Sequence, residues 1–580
     1  MRSRSRALAL ALAGALASAV LSAAAPASAL AQPDAPAAPA ISAGSGPVSV
    51  AVVMPLTVPP TTSGLLNADA LATYTRNGGL LDRQLAAVTG TSAAIGLDPM
   101  IVASIRVLGA AAPATALDFL SRLHALPNEM FLLGYADADP ALAAVAGTQD
   151  ELTPLGFDFA IDPADFGPAV TPSATPTPDA TADAGPGATT GATPPPDDGA
   201  PPPLPSMDDL LAWPTTLPSI AWPSEGTIDA AGLAGLATLG YADTLIGAAN
   251  TTATGTALVD LGDIDGLVVD DDITEAVRNA AYAPTETDYQ AATITLAAAL
   301  RSASITAPGR TLIATLDRRW PFGTARLASV LATIQSQTAS QLIPLSAVLG
   351  GAKTSATLTA PDSDVDAERA ATLTALASAA RAEASYLQIA ERATVITQPR
   401  RLAVLALSAV GWREDGVGWD AATAGVLADA QSTLDAVQVT ESSDQLVLSD
   451  ISSLRLHISN ALPVAVTVYV RVQPLRPLLQ VQNSSVEVAL EPDSSATASI
   501  PVQSITNGEV TVRAELRNAS GQALGAPRFL KVILQAGWET AGTLIAGGLV
   551  FLIFGGGLVR LFLRRRREAA AREPAAQADD

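Results

Sequence analysis

The segment that most constrains this chain lies near its end. Residues 541–559 carry no charge, and Leu561 and Phe562 continue the apolar run past Arg560. A helix rises 1.5 Å per residue, so about 20 apolar residues cross a bilayer core. Arg564, Arg565, Arg566 and Arg567 follow at once and keep that side in the cytoplasm, while Trp538 stands where an interfacial aromatic belongs. Residues 541–563 are therefore expected to form one transmembrane helix, with 564–580 as a cytoplasmic tail. At the other end, Arg2, Arg4 and Arg6 precede an apolar run at 7–21, and small residues follow as far as Ala29 or Ala31. Residues 1–31 read as a signal peptide. The expected location is the cell membrane, single-pass, with the bulk of the chain extracytoplasmic and the C-terminus cytoplasmic.

This topology redistributes the charge. The 580 residues include 33 basic and 56 acidic side chains, net −23. Three arginines belong to the leader, and six basic and four acidic residues to 560–580. The exported body keeps 24 basic and 52 acidic residues, net −28. Such a body is repelled by anionic headgroups and wall polymers and should stand off the membrane. It also excludes nucleic acid as a partner, since phosphate binding needs a basic surface. There is no cysteine, which removes disulfides, thiolate zinc sites and cysteine nucleophiles. Two histidines, His124 and His457, fall in different segments. Neither a metal site nor a cofactor is expected.

Residues 171–205 hold eleven prolines among Thr, Ala, Gly and Asp and cannot bury enough surface to order themselves. They read as a disordered insertion. Around them, strand-like runs (48–54, 93–97, 130–134, 219–222, 244–248, 266–269, 310–316, 341–343) alternate with helical stretches, the signature of a parallel sheet with crossovers. Thr115 with Asp118 has capping spacing. Asp139–Pro140 and Gly147 have the chemistry of a helix start and stop. Eight strands over 46–170 and 206–350 suit a (β/α) barrel-like domain, a doubly wound sheet being the runner-up. Residues 361–437 are alanine-rich at helical spacing and predict a small helical bundle, its last helix opened by Asp420. Residues 438–535 change to period-two alternation: Val464, Val466, Val468, Val470 and Val472 share one face. Asn507–Gly508 gives a hairpin signal. That pattern predicts an immunoglobulin-like β-sandwich. The fold class is thus multidomain α/β plus all-β.

In a barrel, chemistry is placed at the C-terminal strand ends. Asp98, Asp137 and Asp317 stand there as candidate catalytic carboxylates, and Trp222, Glu225 and Asp139 as candidate ligand-binding residues. Two carboxylates flanking a glycosidic bond would support hydrolysis, and Trp222 could stack on a sugar. Competing structural readings are specific. Asp98 and Asp139 each precede proline and fit helix N-caps, while Asp317 precedes Arg318 and Arg319 and fits an ion pair. The acidic stretch Asp260, Asp263, Asp265, Asp270, Asp271, Asp272 matches a calcium loop poorly, with Leu261 at the first ligand position. Its apolar 267–269 reads better as a buried strand.

The layout resembles an uncharacterised actinobacterial family of exported single-span membrane proteins, often encoded beside the lipid II flippase gene. The residues that carry the likeness are Arg400-Arg401-Leu402, Leu407-Ser408-Ala409, Trp412-Arg413 and Ile458-Ser459-Asn460-Ala461-Leu462-Pro463-Val464, with Asn507-Gly508 and the terminal arginines. The resemblance implies a link to cell-envelope biogenesis and transfers no catalytic residue. The barrel also looks distantly like polysaccharide deacetylase or glycosidase barrels, without the deacetylases' paired metal histidines. The expectation is a non-catalytic envelope protein that binds a cell-wall glycan or an envelope membrane protein. The alternatives are a glycoside-hydrolase-like enzyme acting on envelope polysaccharide and a purely structural spacer.

Overall fold

A computed structural model describes residues 46–167, 204–318, 326–359, 365–440, 445–447, 451–535 and 538–570. The leader, residues 171–203 of the insertion and residues 571–580 of the tail lie outside the described residues.

The first part of the chain alternates strands and helices. In order these are β1 (Val48–Leu56), α1 (Ala68–Thr75), α2 (Leu80–Val88), β2 (Ala94–Leu97), α3 (Pro99–Val107), α4 (Ala114–His124), β3 (Met130–Leu132) and α5 (Pro140–Ala146). After the insertion come α6 (Met207–Leu211), β4 (Ile220–Ala221), α7 (Ala230–Thr238), β5 (Asp243–Gly247), β6 (Leu258–Asp260), β7 (Asp265–Val269) and α8 (Asp271–Ala281). Then follow α9 (Glu286–Thr306), β8 (Thr311–Thr315), α10 (Leu327–Ser336), β9 (Ser340–Leu342), α11 (Leu345–Leu349) and β10 (Thr354–Ser355).

The strands form two curled sheets. The first runs β3-β2-β1-β8 in parallel, with β9 beside the start of β1. The second runs β10-β6-β7-β5-β4, parallel except for the β6–β7 pair. Only short contacts join the two sheets. The N–H groups of Thr216 and Leu217, just before β4, donate to the Met130 carbonyl, and that of Asp270, just after β7, donates to the Ile313 carbonyl at 2.9 Å. The ladder is therefore two half-barrel sheets where the sequence predicts one continuous barrel. The two-residue β4 and the antiparallel β6 interrupt it.

Burial on both faces explains the near-continuous apolar reading of β1. Its Val50, Val52 and Met54 pack into the outer core with α2, α3 and α8. Its Ala51 and Val53 face inward and share one cluster with Phe131, Ile220, Trp222, Leu267 and Ile313 from both sheets. Asp98 caps α3 and Asp139 caps α5, each followed by proline, and Gly147 closes α5 in the left-handed region at φ 66°. The expected Thr115 cap is not formed. Pro113 holds the cap position of α4, and Thr115 instead accepts a hydrogen bond from the Thr75 hydroxyl at 2.9 Å.

Next come α12 (Val365–Tyr386), α13 (Thr394–Leu407) and α14 (Gly416–Leu434). Helix α14 opens at Asp415, whose carboxylate accepts from the Gly418 N–H at 2.8 Å, and not at Asp420. The Trp412 and Trp419 indoles donate to the Ala406 and Leu407 carbonyls, each at 2.8 Å. They pack in one cluster with Leu142 and Ala146 of α5. The Asp139 N–H donates to the Ser408 carbonyl at 2.9 Å, so the helical layer covers the chain that leaves β3.

The all-β part comprises β11 (Val437–Val439), β12 (Gln445–Val447), β13 (Ile451–Asn460), β14 (Val466–Pro474), β15 (Leu479–Val481), β16 (Ser485–Leu490), β17 (Ser494–Ser504), β18 (Gly508–Arg517) and β19 (Ala523–Leu534). One sheet runs β11-β13-β17-β15, the other β12-β19-β18-β14-β16. Alternate residues meet in one core, with Val466, Val468, Val470 and Val512 among those opposite Leu454, Leu456 and Ile500. Asn507–Gly508 does not turn a hairpin, because β17 and β18 belong to different sheets. It is the crossover between them, with Gly508 at φ 151°. Helix α15 (Trp538–Ala570) ends the described chain. Its Gly542–Arg567 stretch, wholly unburied, is the one helix among the described residues long and apolar enough to cross a membrane.

Candidate functional site

Three of the predicted side chains gather under the helical layer. Asp98 follows β2 directly and is 1% exposed. One of its carboxylate oxygens accepts from the N–H groups of Met100 and Ala136, each at 2.9 Å. Burial dominates its titration and pushes its pKa up to about 8, with the Asp137 charge adding to the rise. Asp137 lies in the turn after β3, where it and Ala136 both take left-handed φ values of 54° and 58°. Two consecutive non-glycine residues in that region are costly and need fixed surroundings. Arg318 supplies them. Its Nε and Nη2 donate to the two Asp137 oxygens at 3.1 and 3.0 Å. Burial raises the Asp137 pKa, and the Arg318 charge opposes the rise. The Asp139 carboxylate accepts from Ala141, Leu142 and Ser224 N–H groups, each at 3.1 Å.

Arg318 also reaches across to the second sheet. Its Nη2 donates to the Trp222 carbonyl at 2.8 Å, and its guanidinium lies 4.7 Å from the indole centroid. The indole packs on Phe131 at 6.3 Å and is 4% exposed. Trp222 is thus a core side chain between the two sheets. The stacking role expected for it is taken by an arginine of this chain.

Beyond Trp222 the strand ends are open. A cleft of about 610 Å³ lies at the C-terminal ends of β4, β5, β7 and β8, and Glu225 and Asp317 line it with Asp271, Glu275, Arg278 and Tyr282. Arg278 pairs with Glu225, and its Nε and Nη2 donate to the Thr315 carbonyl and hydroxyl at 2.8 and 2.9 Å. The Asp317 N–H donates to the Tyr282 hydroxyl oxygen at 3.2 Å. Burial, then the Asp317 charge, raises the Tyr282 pKa, so the phenol remains a neutral hydrogen-bonding group. Asp271, in the first turn of α8, has its pKa raised by partial burial and by the charges of Asp270 and Glu225. The cleft therefore offers several carboxylates, an immobilised guanidinium and a phenol, a set suited to hydrogen-bonding a polar ligand.

The sequence reading placed Glu225 and Asp317 near this mouth and missed Asp271, Glu275, Arg278 and Tyr282. The missed signal was Asp270-Asp271-Asp272 at the end of a recognised strand, the same strand-end rule that selected Asp98. Asp260 and Asp265 instead face each other across the β6–β7 pair, with Asp265 held by Lys353. No three His, Asp or Glu side chains converge for a metal ion among the described residues. His124 meets Trp213 edge-on, and His457 bonds Thr497 in the sandwich. A second, mostly apolar groove of about 860 Å³ separates the loop after β1 and α3 from α13 and α14, lined in part by Leu66, Val107, Phe159, Ile396 and Val426.

The chain belongs to a family of unknown function, DUF6049, which it matches over residues 37–576. No curated protein matches it. Among solved structures it is similar to native alpha-2-macroglobulin of Escherichia coli spanning domain MG7 to the C-terminus, with 21% identity over 17% of this chain and 16% of that one, TM-score 0.15. The chain thus spans about a sixth of that structure's length. It is also similar to WR4, an MSP family member of C. elegans (10% identity, 17% of this chain, 97% of that one, TM-score 0.14). A PapD-like domain of human CEP192 is similar at 13% identity, over 17% of this chain and 84% of that one, TM-score 0.14.

Proposed function

We propose that this chain is a membrane-anchored extracytoplasmic protein of cell-envelope biogenesis that binds a glycan or an envelope membrane protein at the open cleft, without catalysis. The observation that carries this reading is the commitment of four of the expected strand-end carboxylates to internal contacts. Asp98 and Asp139 cap helices, Asp137 is clamped by Arg318, and Glu225 is paired with Arg278. Of the three carboxylates expected to act in hydrolysis, Asp317 alone lines the cleft, and in this reading Asp271 and Glu275 beside it hold a ligand.

In this reading the curled sheets are halves of one (β/α) barrel. Their shared inner cluster and the bonds at Met130 and Ile313 support it. The β-sandwich is immunoglobulin-like and stands between the barrel and the membrane. The apolar helix spans the membrane with its arginines inside, and the leader directs the body outside. The resemblance to the actinobacterial family encoded beside the lipid II flippase supports an envelope role.

The test is titration of the full chain in nanodiscs with cell-wall saccharide fragments, together with photo-crosslinking in cells from position 275. Saturable binding that weakens at least about tenfold, roughly 1.4 kcal/mol, in an Asp271→Asn, Glu275→Gln variant is expected, or a specific crosslinked envelope protein. Absence of both, or glycan turnover abolished by Asp317→Asn, would overturn the proposal.

A further inference from the structure

The outer faces of the two sandwich sheets differ in kind. On β13 and β17 the exposed positions are Ser453, Arg455, His457, Ser495, Thr497 and Ser499, all polar. On the other sheet Leu446, Phe529 and Ile533 are 52%, 61% and 41% exposed. These three are neighbours. Leu446 of β12 pairs with Ile533 of β19, and Phe529 lies on the same face of β19, with Lys531 between them. Arg513 stands opposite Phe529. Lys531 pairs with Glu509 and Arg513 with Glu515, so the patch is close to neutral where the body as a whole is −28. Clustered exposed apolar side chains mark a surface that meets something.

Position along the chain says what. Strand β19 ends at Leu534 and α15 begins at Trp538. Four peptide steps reach at most about 14 Å, so the patch is tethered next to the point where the chain enters the membrane. Aromatic and basic side chains together favour the headgroup level of a bilayer. We propose that this face of the sandwich, bearing Leu446, Phe529 and Ile533, rests on the outer leaflet and fixes the tilt of the ectodomain. The rest of the acidic body stands off. The proposal rests on reading α15 as a span.

The absence of cysteine makes the test direct. Phe529→Cys, Ser499→Cys and Val550→Cys each give the full chain a single site for a fluorophore. The labelled proteins are reconstituted into phosphatidylglycerol/phosphatidylethanolamine vesicles. Quenching by doxyl-labelled lipid should be several-fold stronger at 529 and 550 than at 499, with aqueous iodide showing the reverse order. Iodide quenching at 529 equal to that at 499, while 550 stays lipid-quenched, would refute the docking and leave the span intact. Protection of 529 from both quenchers would show that a second copy or another protein covers the face, and also refutes it. Iodide access at 550 would remove the span and the proposal with it.

Discussion

The buried carboxyl of Asp98 should make this protein less stable as pH rises through the neutral range. Its folded pKa is about 8 against an ordinary 3.8, because burial penalises the charged form. Between those values the folded state holds a proton that the unfolded state has released. Stability from this group is therefore fully present below about pH 4, falls by about 1.4 kcal/mol per pH unit, and is gone above about pH 8. At pH 7 the loss approaches roughly 4 kcal/mol as a ceiling. Asp98→Asn keeps the shape and an oxygen that can accept from the Met100 and Ala136 N–H groups, each now at 2.9 Å. It should flatten this component and raise stability at pH 7–8. Asp98→Ala removes the acceptor and should cost about 1–3 kcal/mol at pH 4 through two unpaired donors. Urea denaturation of the full chain in detergent micelles at pH 4, 6 and 8 measures all three, and differences between variants cancel the other titrating groups. Parallel pH profiles for wild type and Asp98→Asn, or a less stable Asn variant at pH 8, would show that the carboxylate is ionised in the fold and that its charge-assisted bonds outweigh burial.

Arg318→Met should destabilise by about 3–5 kcal/mol by leaving Asp137 buried and unpaired, since the two side chains are 11% and 8% exposed. The Asp137→Asn, Arg318→Met pair should recover part of that in a double-mutant cycle by denaturation. Gly235→Ala places a Cβ 2.1 Å from the Ala144 Cβ, forcing α7 away from α5. A lowered melting temperature corresponding to about 1–3 kcal/mol is expected. Asn460 is 2% exposed, and its amide donates to the Val464 and Glu491 carbonyls at 2.9 Å each. Asn460→Ala should cost about 1–3 kcal/mol in chemical denaturation, with no change in ligand binding at the cleft.

Local signals were legible because they depend on neighbours in sequence. The β-branched run of β1, the Asp-Pro starts of α3 and α5, and the period-two valines of β14 each specify an element within a few residues. The two-residue β4 and the antiparallel β6 carry too little pattern, and Asn507–Gly508 serves a crossover as readily as a hairpin. Placement across the chain was legible only in part. The strand-end rule pointed to one rim, but α13 and the Trp412 segment cover the end of β3 and bury Asp137 and Asp139. The rim left open therefore belongs to β4, β5, β7 and β8.

Some of the residues that carried the family resemblance explain how that cover is held. Arg400 pairs with Glu383 across α13 and α12, Arg401 donates to the Asp150 carbonyl at 2.7 Å, and Arg413 pairs with Asp366. A Cβ on Gly64 would lie 2.3 Å from the Leu402 carbonyl oxygen, so that glycine lets the loop after β1 close on α13. The Arg400 and Arg413 pairs hold the helical layer together, Arg401 and the Gly64 contact tie it to the chain beneath, and none reaches the cleft lining.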